Sequence, residues 1–190
     1  MRIELESERL RMTQVAEADW EFFHRVHTTA EVMRYISDPL TDEEIRARFD
    51  VRLLPWDKEQ PHWLSLVIRE KSSGAAAGIT GMRPEWMPYQ QAEVGFLLLP
   101  EFQGRGYAGE SLSSVISFAF GECRFHKLKA LVTGGNEPSC RALERVGFQR
   151  EGVIRDNFQL YGQWKDDVLF GLLEHEARLP QAQVLSPGAR

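Results

Sequence analysis

A glycine-rich stretch, QGRGYAG, is the part of the chain whose residue types most clearly suggest chemistry. It covers Gln103 to Gly109 and lies between an apolar run that ends at Leu99 and a helical pattern. Successive backbone N–H groups and the positive end of a helix dipole can face an anion at such a junction. Gly104 and Gly106 lack the Cβ atoms that would keep a diphosphate off the backbone, and Arg105 adds positive charge. The stretch therefore indicates a phosphate site, with a purely structural glycine turn as the alternative.

Two common phosphate loops are excluded by the order of residues in this stretch. No lysine followed by serine or threonine is present, so it is not a Walker A loop. The glycine spacing differs from the dinucleotide fingerprint, and no acidic residue ends a second strand at the expected interval. The pattern that remains to describe this loop is glutamine, glycine, any residue, glycine.

The elements that would position this loop follow from the periodicity of apolar residues. Thr41 and Glu44 are spaced as a capping box at the start of one predicted helix, and Gly147 is suited to the end of another. The predicted strands are residues 8–15, 62–70, 75–84, 91–99 and 127–133 and two that meet near Gly162; the predicted helices are residues 17–29, 41–54, 105–121 and 138–146. This order predicts a mixed α/β sheet with helices on both faces.

Composition restricts the class of protein. The 190 residues are 43% hydrophobic and 27% charged, which suits one domain with a buried core. The formal charge is −5 and no long run of basic residues occurs, so nucleic acid is not expected as a partner. The charged start and the shortness of the apolar runs predict a cytoplasmic protein without a membrane partner. Cys123 and Cys140 are expected to be reduced structural thiols, and the histidines lack metal-binding spacing.

Several separated stretches together resemble the GCN5-related N-acetyltransferases, or GNAT superfamily. Within it they are similar to the branch of ribosomal-protein N-terminal alanine and serine acetyltransferases. The resemblance covers about residues 7–174 and rests on ESERLRM, EVMRYISDPLTDEE, AEVGFLLLPEFQGRGYAGESL, GGNEPSCRALERVGFQREG and YGQWKDDVLFGLL, in that order. It implies a GNAT domain at residues 1–178, with a mixed, mostly antiparallel sheet of about seven strands. The residues that follow, 179–190, are expected from their own sequence to form a flexible tail. The implied activity is transfer of an acetyl group from acetyl-CoA to a primary amine, without a metal.

The resemblance also implies roles for the residues of the loop and of the strand before it. The loop amides would hold the diphosphate of CoA, and the strand would leave backbone groups free to pair with the pantetheine arm. One of those N–H groups would polarise the thioester carbonyl. The residues implied in cofactor binding are Phe96, Leu97, Leu98, Gln103, Gly104, Arg105, Gly106, Tyr107, Ala108 and Gly109. For Tyr107, packing under the helix is the alternative.

Further residues are candidates for catalysis and for cofactor contact. Asn136 is expected to cap a helix, to bond the pantetheine amide, or to do both. Ser139 could donate a proton to the departing thiolate, and Glu93 could act as the base that deprotonates the amine; a solvated strand-face glutamate is the alternative. Glu85, Asp166 and Asp167 could attract a cationic substrate, although each is more often a surface charge. Four aromatic residues near the expected acceptor pocket could either shape the site or pack in the core: Trp56, Trp63, Trp86 and Tyr89. For Trp63 core packing is favoured.

The acceptor stays open at the level of sequence. A protein N-terminus and a small molecule such as a polyamine or an antibiotic all fit a primary-amine acceptor. A non-catalytic CoA-binding module, and an acyltransferase with another acyl group or an oxygen acceptor, are the alternative functions. Because dimers are common in the family, a homodimer is also possible.

Overall fold

A computed structural model of the chain describes residues 2–177, so the predicted tail at 179–190 lies outside the described residues. Within this part the chain forms eight strands and five α-helices. The strands are β1 (Glu4–Glu6), β2 (Leu10–Gln14), β3 (Leu64–Glu70), β4 (Ala76–Glu85), β5 (Gln91–Leu98), β6 (Lys127–Thr133), β7 (Gln149–Leu160) and β8 (Gln163–Leu173). The helices are α1 (Trp20–Thr28), α2 (Ala30–Met33), α3 (Asp42–Leu53), α4 (Tyr107–Gly121) and α5 (Glu137–Arg145).

All eight strands belong to one sheet, in the order β1-β2-β3-β4-β5-β6-β8-β7. Only the β5–β6 pair is parallel, so the expected mixed and mostly antiparallel sheet is confirmed. The sheet has one strand more than the seven expected, because β1 spans only Glu4–Glu6 and is too short to show an alternating pattern. Its place is fixed by pairing with β2, where Leu5 lies opposite Met12.

The parallel pair separates along its length. The register of β5 and β6 runs only from Gln91 opposite Lys127 to Glu93 opposite Lys129. Beyond this point β5 continues to Leu98 and β6 to Thr133 without further pairing between them. The two strands therefore form the sides of a cleft in the middle of the sheet, which is the splay expected from the resemblance.

Helices cover both faces of the sheet, as predicted, and each face has its own core. On one face α1 and α3 bury Phe23 and Phe49 against the sheet. On the other face α4 buries Leu112 and Phe120, and α5 buries Leu143. Complete burial of one such side chain stabilises the fold by roughly 1.5–3 kcal/mol, so both cores hold the strands that border the cleft.

Local signals set the starts of the helices near the site. Thr41 caps α3, since its hydroxyl accepts from the Glu44 N–H at 3.2 Å while the Glu44 carboxylate accepts from the Thr41 N–H at 2.8 Å. This is the capping box predicted from the sequence. By contrast, α4 begins after Gly106 without a side-chain cap. The N–H groups at its start are therefore left for another partner.

Candidate active site

The separated strands enclose a cleft of about 310 Å³. Helices α1, α3 and α5 and the strands β3 to β6 contribute to its walls. Five residues predicted to act in catalysis or cofactor binding border it: Glu93, Phe96, Leu97, Asn136 and Ser139. The structure thus brings the proposed base, the proposed acid and part of the cofactor strand to one place.

The backbone groups of β5 alternate between its two neighbours. The Leu99 N–H donates to the Ala77 carbonyl at 2.9 Å, which directs the odd-numbered residues at this end of the strand toward β4. The Gln90 carbonyl accepts from the His126 N–H at 2.8 Å, which directs the even-numbered residues toward β6. Where β6 has moved away, the even-numbered backbone groups face the cleft.

This alternation corrects one of the predicted roles. The N–H groups of Phe96 and Leu98 face the cleft, where a pantetheine arm would need them. Those of Leu97 face β4, so Leu97 contributes its side chain to the cleft wall and not its backbone. Gln103 donates from its side-chain amide to the Leu98 carbonyl at 3.0 Å and from its N–H to the Pro100 carbonyl at 3.1 Å. Gln103 therefore fixes the start of the loop from within the protein.

The loop itself presents six consecutive backbone N–H groups, from Gly104 to Gly109, that make no hydrogen bond to a protein acceptor in the described part of the chain. Gly104 and Gly106 have φ angles of +74° and +82°, which a residue with a Cβ atom rarely adopts. The space around Gly104 is open to 4 Å. Free N–H groups at the start of a 15-residue helix suit an anion, so the loop fits the predicted diphosphate site.

A clamp from the β1–β2 turn holds this loop. The Arg9 guanidinium donates to the Arg105 carbonyl at 3.1 Å and pairs with Glu110 at 2.6 Å. Ser7 donates its hydroxyl to the same carboxylate at 2.6 Å. Burial alone would raise the pKa of Glu110, but the hydrogen bonds from Ser7 and Arg9 outweigh it and lower that pKa. The acidic residue in the first turn of α4 is thereby neutralised within the protein and does not oppose an external anion.

Tyr107 packs under the helix, as its alternative reading held. Its ring is buried, and its hydroxyl donates to the Glu70 carboxylate, a bond that raises the pKa of the phenol. Arg105 lies 3.6 Å from the same carboxylate and over the ring of Phe102. Only the backbone N–H of Tyr107 is available to a ligand. Arg105, about half exposed, can still turn toward one.

Asn136 and Ser139 meet at the start of α5. The Asn136 side-chain oxygen accepts from the Ser139 N–H at 3.4 Å, which confirms its capping role. The Asn136 amide group and the Ser139 hydroxyl donate to no protein group among residues 2–177. Because both residues border the cleft, these two donors are available to a ligand.

Glu93 lies on the α1–α3 side of the cleft. Its carboxylate accepts from the Arg83 guanidinium at 2.6 Å, and only 16% of the side chain is exposed. Glu93 is therefore not a solvated glutamate on the face of the strand, which was the alternative to a role as base. The ion pair fixes one carboxylate oxygen and leaves the group at the cleft wall.

The three acidic residues considered for attraction of a cationic substrate do not line the cleft. Asp167 is buried and accepts from the Asn157 side-chain amide at 2.7 Å. Asp166 accepts from a backbone N–H at 2.9 Å, and Glu85 pairs with Lys129 at 2.6 Å. Each carboxylate thus has a partner within the protein. The surface-charge interpretation holds for the exposed Asp166, whereas Asp167 is buried.

One wall of the cleft is basic and aromatic, and it was not predicted from the sequence. Arg48 and Arg52 project from α3 into the cleft, and the Arg52 guanidinium lies 5.6 Å from the centre of the Trp63 ring. The preference for Trp63 as a core residue is wrong, since Trp63 lines the cleft while Trp56 and Trp86 pack against the α4 core. The spacing of two arginines one turn apart on a predicted helix was the available signal.

The segment after α2 closes one end of the cleft. Tyr35 borders the cleft, and its carbonyl accepts from the buried Thr133 hydroxyl at 2.8 Å. The Asp38 carboxylate accepts from the Tyr161 N–H in the β7–β8 turn at 2.6 Å. These bonds tie the α2–α3 connection to the far side of the sheet.

Comparison with known proteins agrees with this geometry. A family model described as an acetyltransferase (GNAT) domain matches residues 9–149, which is more than half of the chain. The chain belongs to the GNAT family of acetyltransferases. The GNAT assignment confirms the superfamily named from the sequence motifs, while the narrower ribosomal-protein branch stays a prediction.

Individual relatives of this GNAT chain cover nearly its whole length. The uncharacterized N-acetyltransferase YoaA of Bacillus subtilis is 25% identical over 170 residues, which are 90% of this chain and 96% of that protein. The spermidine N(1)-acetyltransferase of Escherichia coli strain K12 is 24% identical over 176 residues, 90% of this chain and 92% of that enzyme. The crystal structure of a Vibrio cholerae spermidine N-acetyltransferase in complex with CoA and spermine superposes with a TM-score of 0.78, at 19% identity, over 90% of this chain and 98% of that one. This last likeness shows the fold.

Two further findings concern residues 2–177. None of the helices in this range has the length and apolar character that a membrane crossing needs. The same range contains no group of three His, Cys, Asp or Glu side chains placed to hold a metal ion.

Proposed function

We propose that this GNAT protein is an acetyl-CoA-dependent N-acetyltransferase that acts on a primary amine by direct attack in a ternary complex. One observation carries the proposal: the open edge of β5 leads directly into six free N–H groups at the start of α4. An open strand edge suits the amide-rich pantetheine arm, and the N–H row suits the diphosphate. The two consecutive parts of CoA, its pantetheine arm and its diphosphate, thus find suitable groups next to each other on the protein.

In this proposal each part of the loop and strand has a distinct task. The N–H groups from Gly104 to Gly109 bind the diphosphate, and Arg105 supplies mobile positive charge. Phe96 pairs with the pantetheine arm through its backbone groups and Leu98 through its N–H, because the Leu98 carbonyl accepts from Gln103. Asn136 offers its side-chain amide to the same arm while it caps α5. Gln103 and Tyr107 hold the loop in shape.

The reaction needs a base, a stabilised oxygen and an acid. An aliphatic ammonium has no lone pair, and its pKa is near 10, so Glu93 takes a proton from the amine, directly or through a water molecule. The amine nitrogen then bonds the thioester carbon, and an N–H group of β5 stabilises the negative charge that develops on the oxygen. As the carbonyl re-forms and the C–S bond breaks, Ser139 gives a proton to the leaving thiolate. The nitrogen of the intermediate loses its extra proton, which restores the Ser139 hydroxyl and leaves a neutral amide.

The spermidine relatives and the resemblance to ribosomal-protein acetyltransferases support an amine acceptor in general and do not select one. A protein N-terminus and a small amine both belong to the proposal at this level. The two alternatives are a GNAT-like module that binds CoA without turnover and an acyltransferase for another acyl group. The free hydroxyl of Ser139 and the enclosed Glu93 favour an active enzyme.

Location and assembly are also part of the proposal. We expect a cytoplasmic protein, in keeping with two buried free cysteines, Cys123 and Cys140. A homodimer is the assembly suggested by the resemblance. Sedimentation equilibrium tests it, and a monomer at all concentrations would remove it.

The experiment that tests the function combines calorimetric titration of CoA with thiol release from acetyl-CoA over a panel of primary amines. The decisive variant is Gly106→Val, because a β-branched residue cannot adopt the φ angle of +82° at the start of α4 without strain. We expect it to lose CoA binding. Gly121→Ala, at the other end of the same helix with open space around it, is the matched control and should bind CoA normally.

Each outcome separates the candidates. Binding and thiol release that are both lost in Gly106→Val support the enzyme. CoA binding by the wild type without thiol release from acetyl-CoA for any amine supports the non-catalytic module. Unchanged CoA binding by Gly106→Val would refute the loop assignment.

A further inference from the structure

The α3 side of the cleft carries two guanidinium groups, Arg48 and Arg52, that form no salt bridge with any of residues 2–177. Resting on the acetyltransferase function proposed above, we propose that the acceptor is a small primary amine that also carries a carboxylate or a phosphate. Arg52 binds this anionic group, with Arg48 beside it. The proposal identifies the substrate class by charge and assigns a specificity-determining role to two residues of α3.

The contacts of the two arginines leave their donors free. Arg52 stacks over Trp63, and neither Arg48 nor Arg52 forms a salt bridge or hydrogen bond with any residue of the described range 2–177. Both nevertheless line the cleft. A guanidinium offers five N–H donors in a planar fork that matches a carboxylate or a phosphate, so two unpaired forks in one cleft are suited to an anion.

The other charged groups that line the cleft do not pair with the two arginines. Glu44, one turn before Arg48 on α3, is bonded to Thr41 and has only a Coulombic interaction with Arg48. The Glu93 carboxylate is matched by Arg83 at 2.6 Å. Burial lowers the pKa of His27 to about 4, so this cleft residue is neutral at pH 7. Burial, with the nearby charges of Arg48 and Arg83, lowers the pKa of Arg52 to about 10. The guanidinium is thus destabilised in the absence of an anion, and a bound anion would relieve it.

The diphosphate of CoA does not account for these charges. The Trp63 ring that supports Arg52 lies against Gly95, where an added Cβ would come within 3.1 Å of it. Leu98 ends β5 three residues later, about 10 Å further along an extended strand, and the loop from Gly104 follows beyond it. The arginines therefore lie toward the acyl end of the proposed ligand, where the acceptor must enter.

The size and sign of the cleft select among acceptors. Its volume of about 310 Å³ is at the low end for small-molecule sites, and the acyl end of the cosubstrate needs part of it. A small molecule fits the rest. A polyamine would place further positive charge against Arg48 and Arg52, while Glu85, Asp166 and Asp167 do not line the cleft. An anionic amine instead pairs with the arginines while its amino group meets Glu93.

The test compares matched acceptors in the thiol-release assay with the full chain. The pairs are β-alanine against its amide and O-phosphoethanolamine against ethanolamine, with spermidine and an acidic-N-terminal peptide as further arms. In at least one of the two pairs, we expect the wild type to have a kcat/KM for the anionic amine that is at least about tenfold higher than for its partner without the anionic group. Arg52→Gln should remove this preference without changing KM for acetyl-CoA. Arg48→Gln should weaken it, and Arg46→Gln should retain it, because Arg46 on the same helix pairs with Glu17 and Asp50.

A binding measurement separates this inference from the acetyltransferase function. Propionate and ethyl phosphate, which lack the amine, are titrated into the CoA-saturated protein, and we expect the binding of one of them to depend on Arg52. If no amine is acetylated, the proposed acetyltransferase function is refuted. Anion binding that depends on Arg52 would still support the anion site on α3. The inference would be overturned, and the function left standing, if the wild type preferred the amines without an anionic group, spermidine or the peptide. An anion preference that persists in Arg52→Gln would also overturn it.

Discussion

At the residue scale, the proposed base is a carboxylate whose orientation is set by a guanidinium. Replacing Glu93 by Gln keeps the shape of the side chain and removes the proton acceptor. We predict that kcat falls by about a hundredfold, because general base catalysis typically contributes at least this factor. The loss should be largest below the pKa of the amine, where the acceptor is mostly ammonium. The pH profile of kcat is the measurement.

Glu85→Gln is the control for this prediction, since Glu85 also lies close to Arg83, at 3.6 Å, but outside the cleft. It should keep a wild-type kcat. If Glu93→Gln shows the wild-type pH profile, Glu93 is not the base.

His27 is the residue whose titration should be visible in the stability of the protein. Its ring stacks on Phe23 at 4.0 Å and burial lowers its pKa from 6.5 to about 4. The unfolded chain therefore takes up a proton below pH 6.5 that the folded chain does not take up, so stability falls as the pH drops from about 6.5 to 4. We predict a smaller fall for His27→Asn, which cannot titrate. Urea denaturation across this pH range measures it.

Above about pH 7 the difference in unfolding free energy between wild type and His27→Asn should be independent of pH, because His27 is neutral in both states there. A parallel pH dependence of the two proteins throughout the range would show that His27 does not carry this effect.

At the scale of elements, one of the bonds that hold the end of the cleft joins β6 to the segment after α2. The Thr133 hydroxyl is buried and donates to the Tyr35 carbonyl. Thr133→Val keeps the shape but leaves that carbonyl unpaired, which should cost about 1–3 kcal/mol of stability. Because Tyr35 borders the cleft, we also predict a raised KM for the acceptor with little change for acetyl-CoA.

Thr28→Val is a comparison on an exposed helix end, where the hydroxyl bonds only to the carbonyls of its own helix. It should lower stability by less and leave both KM values unchanged. Equal effects of the two substitutions would mean that the bond from Thr133 does not position the cleft.

At the scale of the whole molecule, the sequence predicted the elements that have strong local signals. The loop at Gln103 to Gly109 and the capping box at Thr41 depend on residues adjacent in the chain, and both lie where predicted. The strand Glu4–Glu6 was missed because three residues carry no periodicity. The basic wall was missed because Arg52 and Trp63 come together only when α3 packs on the sheet.

The same dependence on packing explains the error at Leu97. Which backbone groups face the cleft follows from the register with β4, and sequence periodicity describes side chains and not the direction of backbone N–H groups. Charge patterns also misled, since Asp166 and Asp167 form an exposed-looking pair in the sequence. In the fold Asp167 is buried against Asn157.

The two cores divide the support of the site between them. Phe49 is fully buried on the α1–α3 face and packs on Phe23, which in turn stacks on His27 at the cleft. Phe120 is a buried residue of α4, the helix whose first turn carries the proposed diphosphate site. We predict that Phe49→Leu raises KM for the acceptor, whereas Phe120→Leu weakens CoA binding. Steady-state kinetics and calorimetric titration measure these effects.

Both substitutions should lower the unfolding free energy by about 1–3 kcal/mol, as expected for lost volume in a core. Unfolding should still be a single transition by circular dichroism and by tryptophan fluorescence, because the same sheet strands contribute side chains to both cores. Two separate transitions, or the same ligand affected by both variants, would show that the two faces do not divide the site in this way. We expect one unfolding transition because the shared sheet couples the stability of both faces. We expect two distinct effects on function because the α1–α3 layer positions the acceptor and the α4 layer positions CoA.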